Sequence, residues 1–458
     1  MPTAVAVRPR ALAPRWWAGA ADAAGLAVLV LVVATWIGGG GPGDLTAGVG
    51  PALASVGRLA GLAAAALLLV AIALVARIPL LERSFGQAEL TRVHRQLARV
   101  AAWLFVAHIV AVPAGYAVRT GAGLVAITWE TVTTQPGVLA AVAGAVLAGA
   151  AALTSWWRLR ARLRYEAWHL THVLGYLGAA LLVPHMVWTG SSFDAQPWAR
   201  AAWTALWVGL GVAVLGWRVV VPALRSRRAG LRVAAGQDLG GGVWAVDVVG
   251  DVASLRAATG QFLYWRVHDG PGWTRAHPIS ATVLPDGGLR LTVRVAGDGT
   301  ARLAGALPGT RLSVEGPYGR LTLGAAAPDA PLAFFGAGVG VAPMVALAEQ
   351  AVGTGRDVVV VSRAHDEESL VLRGDLQALP ARVVEAVGGR SAVAPAWPAA
   401  MVEGAGGAGG AVVLRVVPDV AGREVFVCGP GEWTDALVRE LAAAGVPRGQ
   451  IHRERFSW

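Results

Sequence analysis

The chain has 458 residues, 55% of them hydrophobic and 15% charged, with a mean hydropathy of +0.54. This is too apolar for one soluble domain and fits a membrane protein carrying a soluble part, in two or three domains. The net charge of +10 comes without any Lys, and the Arg residues cluster at the ends of apolar stretches, which points to membrane topology rather than nucleic acid.

Six apolar stretches fill the first half, at 20–37, 52–76, 100–118, 136–155, 167–188 and 198–221, each near the roughly 20 residues that span a bilayer. The first lacks a convincing cleavage site and reads as a retained span. Arg8, Arg10 and Arg15 precede it; Arg77, Arg83, Arg92, Arg95 and Arg99 lie between the second and third. Arg158, Arg160, Arg162 and Arg164 separate the fourth and fifth, and Arg225, Arg227 and Arg228 follow the sixth. The remaining connections are poor in Arg, so the positive-inside rule places both termini in the cytoplasm.

Four histidines fall on two of these stretches. His94 and His108 are fourteen residues apart on or beside the third, and His172 and His185 thirteen apart on the fifth. At about 1.5 Å rise per residue each pair spans roughly 20 Å of helix. The charge topology runs both spans from inside to outside, pairing His94 with His172 near the inner face and His108 with His185 near the outer one. Neutral imidazole on both sides of an iron is the ligand set of bis-histidine haem, here twice. Two features strain this reading. At about 100° per residue, an offset of fourteen returns to within roughly 40° of one face, whereas thirteen misses by roughly 140°. Pro184 is then expected to distort the fifth helix. His169 also competes with His172 for the inner position.

After Arg228 the runs shorten, and strand-like alternation such as 288–295 begins. From Pro331, apolar strands at 332–335, 357–361 and 424–427 alternate with helix patterns, as in a parallel nucleotide-binding sheet. The run 403–410 reads as a flexible loop. Gly336, Gly338 and Gly340, with Pro343, sit between a strand and a helix-like segment, where glycines let backbone approach a pyrophosphate. Ser362 and Arg363 end the next strand, where a hydroxyl and a guanidinium favour a 2′-phosphate and hence NADPH over NADH. The single Cys428 excludes disulfides, cysteine zinc sites and a four-cysteine iron–sulfur cluster.

Further segments complete a pattern: Arg275 with His277, Pro278, Ile279 and Ser280; Arg294 with Gly297 and Thr300; Gly316 with Pro317; Cys428, Gly429 and Pro430; and the aromatic end with Phe456 and Trp458. In this order the second half resembles the ferredoxin–NADP reductase superfamily. Behind six spans with paired histidines, the chain as a whole resembles ferric reductases and NADPH oxidases. The resemblance implies the following division: 1–19 a cytoplasmic N-terminus, 20–228 a six-helix transmembrane haem domain, 229–325 an antiparallel β-barrel FAD domain, and 330–458 an α/β parallel-sheet NAD(P) domain.

It also implies roles. His277, Pro278, Ile279 and Ser280, with Arg275 and Gly316, line the FAD, Ser280 near its reactive edge. Arg294 and the turn from Gly297 to Thr300 meet the FAD phosphates. Gly336, Gly338, Gly340 and Pro343 cradle the nicotinamide dinucleotide, and Cys428, Gly429 and Pro430 lie beside the nicotinamide. Phe456 or Trp458 covers the flavin. The family places a Glu six residues before the inner ligand of the fifth span, and Glu166 selects His172. Arg58 matches an Arg beside the outer haem. Oxygen-reducing members tend to carry another His one turn beyond the outer ligand of the third span, where this chain has Val112. The implied activity moves electrons from cytoplasmic NADPH through FAD and two haems b to an outer acceptor, oxygen or a ferric chelate, across a cytoplasmic membrane. The alternative is an electron carrier feeding a partner protein or quinone. On this reading His172→Ala loses haem while His169→Ala largely retains it, as a pyridine haemochrome assay of each purified variant will report.

Overall fold

The computed structural model describes residues 16–189, 191–194, 196–270, 275–406 and 409–456. They form two compact units, a helical one ending at Arg218 and a β-containing one beginning at Val219.

The helical unit contains α1 (Trp16–Gly38), α2 (Gly41–Thr46), α3 (Val49–Val75), α4 (Pro79–Phe85), α5 (Gln87–Thr120), α6 (Leu124–Thr134), α7 (Val138–Thr154), α8 (Trp157–Arg160), α9 (Tyr165–Trp188), α10 (Ser191–Asp194) and α11 (Pro197–Leu215). Five helices are long and apolar enough to cross a membrane, and six if α6 and α7, bent by 106°, count as one broken span. The fourth expected span, 136–155, corresponds to α7, and α6 precedes it in what the sequence showed as a connection. Pro136 disfavours helix at the residue before it, Gln135 is extended, and Gly137 takes a left-handed φ of 76°, so the chain turns there. The helix of the third span does extend back through His94: α5 starts after Gly86 and stops at Gly121, left-handed at φ 72°. The sixth continues past Leu215 through a π turn (Gly216–Val220) into α12 (Val221–Ala229).

Small residues set the helix spacing. A Cβ on Gly115 of α5 would lie 2.5 Å from the Ala54 nitrogen and 2.7 Å from the Gly50 carbonyl oxygen of α3. A Cβ on Gly144 of α7 would lie 2.7 Å from the Gly178 oxygen of α9. These backbones meet as small residues allow in membrane helices. Trp203 and Trp207 of α11, with Val32 and Leu69, form the main apolar cluster of the unit.

The β-containing unit holds two sheets. Strands β1 (Arg232–Gly240), β2 (Val243–Val249), β3 (Phe262–Val267), β4 (His277–Val283), β5 (Leu289–Arg294) and, after α13 (Asp298–Ala304), β6 (Leu312–Tyr318) form an antiparallel sheet in the order β1-β2-β5-β4-β3-β6. Its first strand meets the start of its last at the bridge between Arg232 and Arg311. The other sheet is wholly parallel. It takes β7 (Leu332–Ala337), β8 (Val358–Ala364), β9 (Arg382–Val387), β10 (Glu424–Pro430) and β11 (Ile451–Phe456) in the order β11-β10-β7-β8-β9, with α14 (Val341–Gly353) after β7. Every residue of β7 and β8 is buried, because helices and loops cover both faces, which is why the sequence shows continuous apolar runs there. Helix Gly409–Val416 takes up the end of the Gly-rich run expected to be loop.

Gly115→Ala is expected to push α3 and α5 apart and destabilise the helical unit by about 1–3 kcal/mol, the usual cost of overpacking. A lowered melting temperature in detergent, against an unchanged value for Gly149→Ala at an open position, is the check.

Candidate functional site

The four histidines meet in two pairs across α5 and α9. The His94 and His172 ring centroids are 6.2 Å apart, and those of His108 and His185 6.1 Å. His169 lies against Trp168, with centroids 6.3 Å apart, one turn from the ring that faces His94. Metal–nitrogen bonds of about 2 Å, with ~1.1 Å from ring centre to nitrogen, put two imidazoles facing one metal about 6 Å apart. Both pairs fit a single iron between them.

The far nitrogens fit as well. His94 Nδ1 lies 2.8 Å from the Ala71 carbonyl oxygen, and His108 Nδ1 lies 2.9 Å from that of Gly57, both on α3. A carbonyl only accepts, so each Nδ1 donates and leaves Nε2 with its lone pair for a metal. Gly61 leaves the space that the His108 ring fills: a Cβ there would lie 2.5 Å from Nδ1. The offset of thirteen is accommodated in α9, which stays helical through Pro184. Proline removes the bond to the Ala180 carbonyl and loosens that turn. Gly137 packs directly on it, where a Cβ would lie 2.8 Å from the His185 nitrogen.

Arg58 follows Gly57 on α3 and makes an ion pair with Asp44 of α2, a partner not singled out in the sequence. The pair sits next to the carbonyl that anchors His108.

In the β-containing unit the expected flavin and nucleotide segments converge. His277 packs on the turn after β5: a Cβ on Gly299 would lie 2.2 Å from its Nε2 and 3.2 Å from Arg275 Cδ. Burial, then Arg275 and Arg302, hold the His277 pKa below its ordinary value, so the ring is neutral near pH 7. Thr300 is buried, and its hydroxyl accepts from the Ala296 and Gly297 amides, so it shapes the turn from within. Gly297 and Arg294 are exposed at that turn, and Arg294 reaches the other sheet, 3.7 Å from a Cβ built on Gly338. Gly338 needs its left-handed φ of 54°. Gly336 and Gly340 are required by the protein itself: Cβ atoms there would meet Val341 Cα at 2.7 Å and the Cys428 oxygen at 2.3 Å. Pro343 and Gly429 are buried beside them, Pro430 pairs with Phe456 in the sheet, and Gly316 takes φ 134° in β6. Pro278 and Ile279 lie on β4 opposite Tyr264 and Leu263.

The residues expected to hold a 2′-phosphate are turned inward. Arg363 is only 6% exposed; its guanidinium donates to the Gly388 carbonyl at 2.7 Å, to Ala386 at 3.2 Å and to Ala364. The Ser362 hydroxyl is buried as well. Neither side chain is presented at the surface for a phosphate. Trp458 lies outside the described residues, and of Phe456 only the backbone is described, as the end of β11.

Glu454 was not foreseen. It sits on β11 beside Cys428 of β10, and its carboxyl oxygens lie 2.9 and 3.1 Å from a Cβ built on Gly319. That same point is 3.2 Å from Phe262, the strand partner of Ser280. Glu454 therefore links the sheet carrying Ser280 to the sheet carrying Cys428. Its carboxyl has some open surface but is closely surrounded by protein, and the lost hydration pushes its pKa up to about 8. Burial, with the Glu454 charge, raises the Cys428 thiol well above its ordinary value, so the sulfur is neutral. A carboxylate two residues before a terminal aromatic was the available signal.

A family model for the ferric reductase like transmembrane component matches residues 60–183. The ferredoxin reductase component of 3-ketosteroid-9-alpha-monooxygenase from Mycolicibacterium smegmatis is 34% identical over 209 residues, covering 44% of this chain and 56% of that protein. The electron transfer subunit of dihydroorotate dehydrogenase B (NAD(+)) from Desulforamulus reducens is 31% identical over 210 residues, covering 44% of this chain and 73% of that one. The chain thus spans little more than half the length of the first of these relatives. A solved flavohaemoglobin from Malassezia yamatoensis, with bound FAD and haem, overlaps 89% of this chain and 98% of its own at 19% identity; its TM-score of 0.43 defines no shared fold.

Apolar helices followed by a module of ferredoxin-reductase type fit a multi-pass membrane protein with a reductase-like part. The chain joins a ferric-reductase-like transmembrane component to a ferredoxin-reductase-like module, an arrangement that fits a ferric reductase or NADPH oxidase-like fusion.

The pH dependence of stability tests the Glu454 environment. Between the ordinary carboxyl pKa of about 4.3 and the raised value, the folded state holds a proton that the unfolded chain has lost. Stability therefore falls as pH rises through this window and levels off above about 8. Glu454→Gln is expected to flatten that slope in melting temperature; a slope identical to the unaltered protein's refutes the assignment.

Proposed function

We propose that the protein carries electrons across the membrane, from a cytoplasmic nicotinamide dinucleotide to an acceptor on the outer face. The observation that carries this reading is the pairing of four imidazoles into two facing sets at single-metal distance on two apolar helices. When bound, flavin turns a hydride's two electrons into single electrons, and haem carries single electrons onward.

The chain's own residues bind, orient and insulate. His94 with His172, and His108 with His185, hold one haem each, and the α3 carbonyls keep two of the rings in the ligating tautomer. Arg294 and the turn from Gly297 to Thr300 meet the flavin phosphates, and Arg275 and neutral His277 brace that turn. Ser280, Cys428 and Glu454 border the place where nicotinamide and flavin meet. The neutral thiol and the protonated carboxyl exclude fixed negative charge from a site that receives hydride. The acceptor is oxygen or a ferric chelate, and Val112 favours the chelate, because it removes the extra histidine found near the outer haem of oxygen-reducing members. Feeding electrons to a partner protein or quinone is the remaining alternative.

A second reading concerns the nicotinamide. The expectation of NADPH rests on Ser362 and Arg363, whose polar groups are buried and, for Arg363, engaged by carbonyls. The dihydroorotate dehydrogenase relative carries NAD(+) in its name. Both favour NADH.

Purified protein reconstituted with FAD and haem is expected to take up two haems, and NADH is expected to reduce them without oxygen, with higher kcat/KM than NADPH. Reoxidation by a membrane-impermeant ferric chelate in oriented vesicles identifies the acceptor. Failure to take up haem, or haem that stays oxidised with either nucleotide, overturns the proposal; faster turnover with NADPH overturns only the second reading.

A further inference from the structure

The four imidazoles differ in what holds their far nitrogen. One ligand in each pair donates to a backbone carbonyl of α3, His94 to Ala71 and His108 to Gly57. These anchors are alike and cancel between the pairs. The α9 ligands are not alike. His172 Nδ1 lies 3.1 Å from the Ser155 hydroxyl at the end of α7. His185 Nδ1 is buried and has no hydrogen-bond partner among the described residues.

Ser155 contacts three groups. Its Oγ is 2.7 Å from the Ala151 carbonyl oxygen, 3.2 Å from Trp168 Nε1 and 3.1 Å from His172 Nδ1. A hydroxyl has one proton and two lone pairs. The carbonyl can only accept, so it takes the proton. The indole N–H can only donate, so it takes one lone pair. The remaining lone pair faces His172 Nδ1, which donates to it, with the Ala151 carbonyl as a further acceptor beside the same ring. Nε2 is then left unprotonated toward His94. Trp168 also stacks on the His172 ring, with centroids 5.3 Å apart and planes at 23°, which fixes the ring's rotation.

We propose that Ser155 is a positioning residue that fixes the tautomer of His172 and holds the haem at His94 and His172 at a lower potential than the haem at His108 and His185. The inference rests on the bis-histidine reading above. An imidazole whose N–H donates to an acceptor is a stronger electron donor through its other nitrogen. It favours ferric over ferrous iron and lowers the potential. Arg160, 4.5 Å from the centre of the Trp168 ring, and Arg218, whose charge acts on His172, work in the opposite sense. The hydroxyl touches the ligand itself, so it dominates. With the His185 nitrogen undonated, electrons run downhill from the first pair to the second, the direction of the proposed function.

Spectroscopic redox titration of the purified, haem-loaded full chain tests this. Ser155→Ala is expected to raise the potential of one haem and leave the other unchanged. A tenfold loss of preference for ferric iron, the lower end of outer-shell effects, equals about 59 mV for one electron. Ser155→Thr, which keeps the oxygen, is expected to retain both potentials. Should Ser155→Ala load poorly, Ser155→Cys, a weaker acceptor, is expected to shift the same haem upward by less. Two loaded haems whose potentials ignore both Ala and Cys, or move together, overturn the inference. An unaltered chain that takes up no haem overturns the bis-histidine reading instead.

Discussion

Two imidazole rings facing one another about 6 Å apart, twice along the same two helices, constrain everything around them. A ring reached from a single Cβ turns freely unless its second nitrogen is held. Here α3 holds two of them through backbone carbonyls, which requires α3 and α5 to lie in near backbone contact. Gly50, Gly57, Gly61 and Gly115 provide that approach, and Gly144 and Gly178 do the same for α7 and α9. A hydrogen bond of this kind contributes only about 1 kcal/mol net to stability. Its larger effect is chemical, because it decides which nitrogen keeps a lone pair.

The β-containing unit works under a different constraint. The corner proposed to be reactive draws on two sheets, and each sheet supplies one side. Ser280 comes from the antiparallel sheet and Cys428 from the parallel one, with Glu454 between them. Burial keeps the thiol neutral and raises the carboxyl pKa to about 8, so most of the carboxyl is protonated at pH 7. The same burial explains the apolar strands that made β7, β8 and β10 readable in the sequence: strands covered on both faces carry no alternation.

The glycines illustrate why a motif and its physical cause differ. In the run from Gly336 to Gly340, two glycines answer to the protein's own backbone, at Val341 and Cys428, and one answers to a left-handed φ. The pattern is that of a nucleotide-binding turn, but the tight turn alone demands most of it. Arg363 shows the reverse. Its position at the end of β8 suits a phosphate, yet the neighbouring strand end presents carbonyls that take its guanidinium inward.

Hydropathy and Arg placement were enough to find the membrane helices, since a span must be apolar along its length. The extension of α5 through His94, the parallel strands and the order of the nucleotide motifs were equally legible, because they depend on local pattern. The turn at Gln135 and Gly137 falls where the expected fourth span begins, but the helix before it, α6, was not foreseen, because that stretch reads only as a connection poor in Arg. Helical periodicity left His172 and His185 in conflict, and the family pattern, not the spacing, chose between His169 and His172. Only the packed structure brings the pairs together, since which side of a helix faces inward depends on its neighbours. Asp44 beside Arg58, Glu454 beside Cys428 and Ser155 beside His172 belong to the same class of fact. Each is a contact between segments distant in sequence, and no local pattern encodes which side chains the folded chain sets against one another.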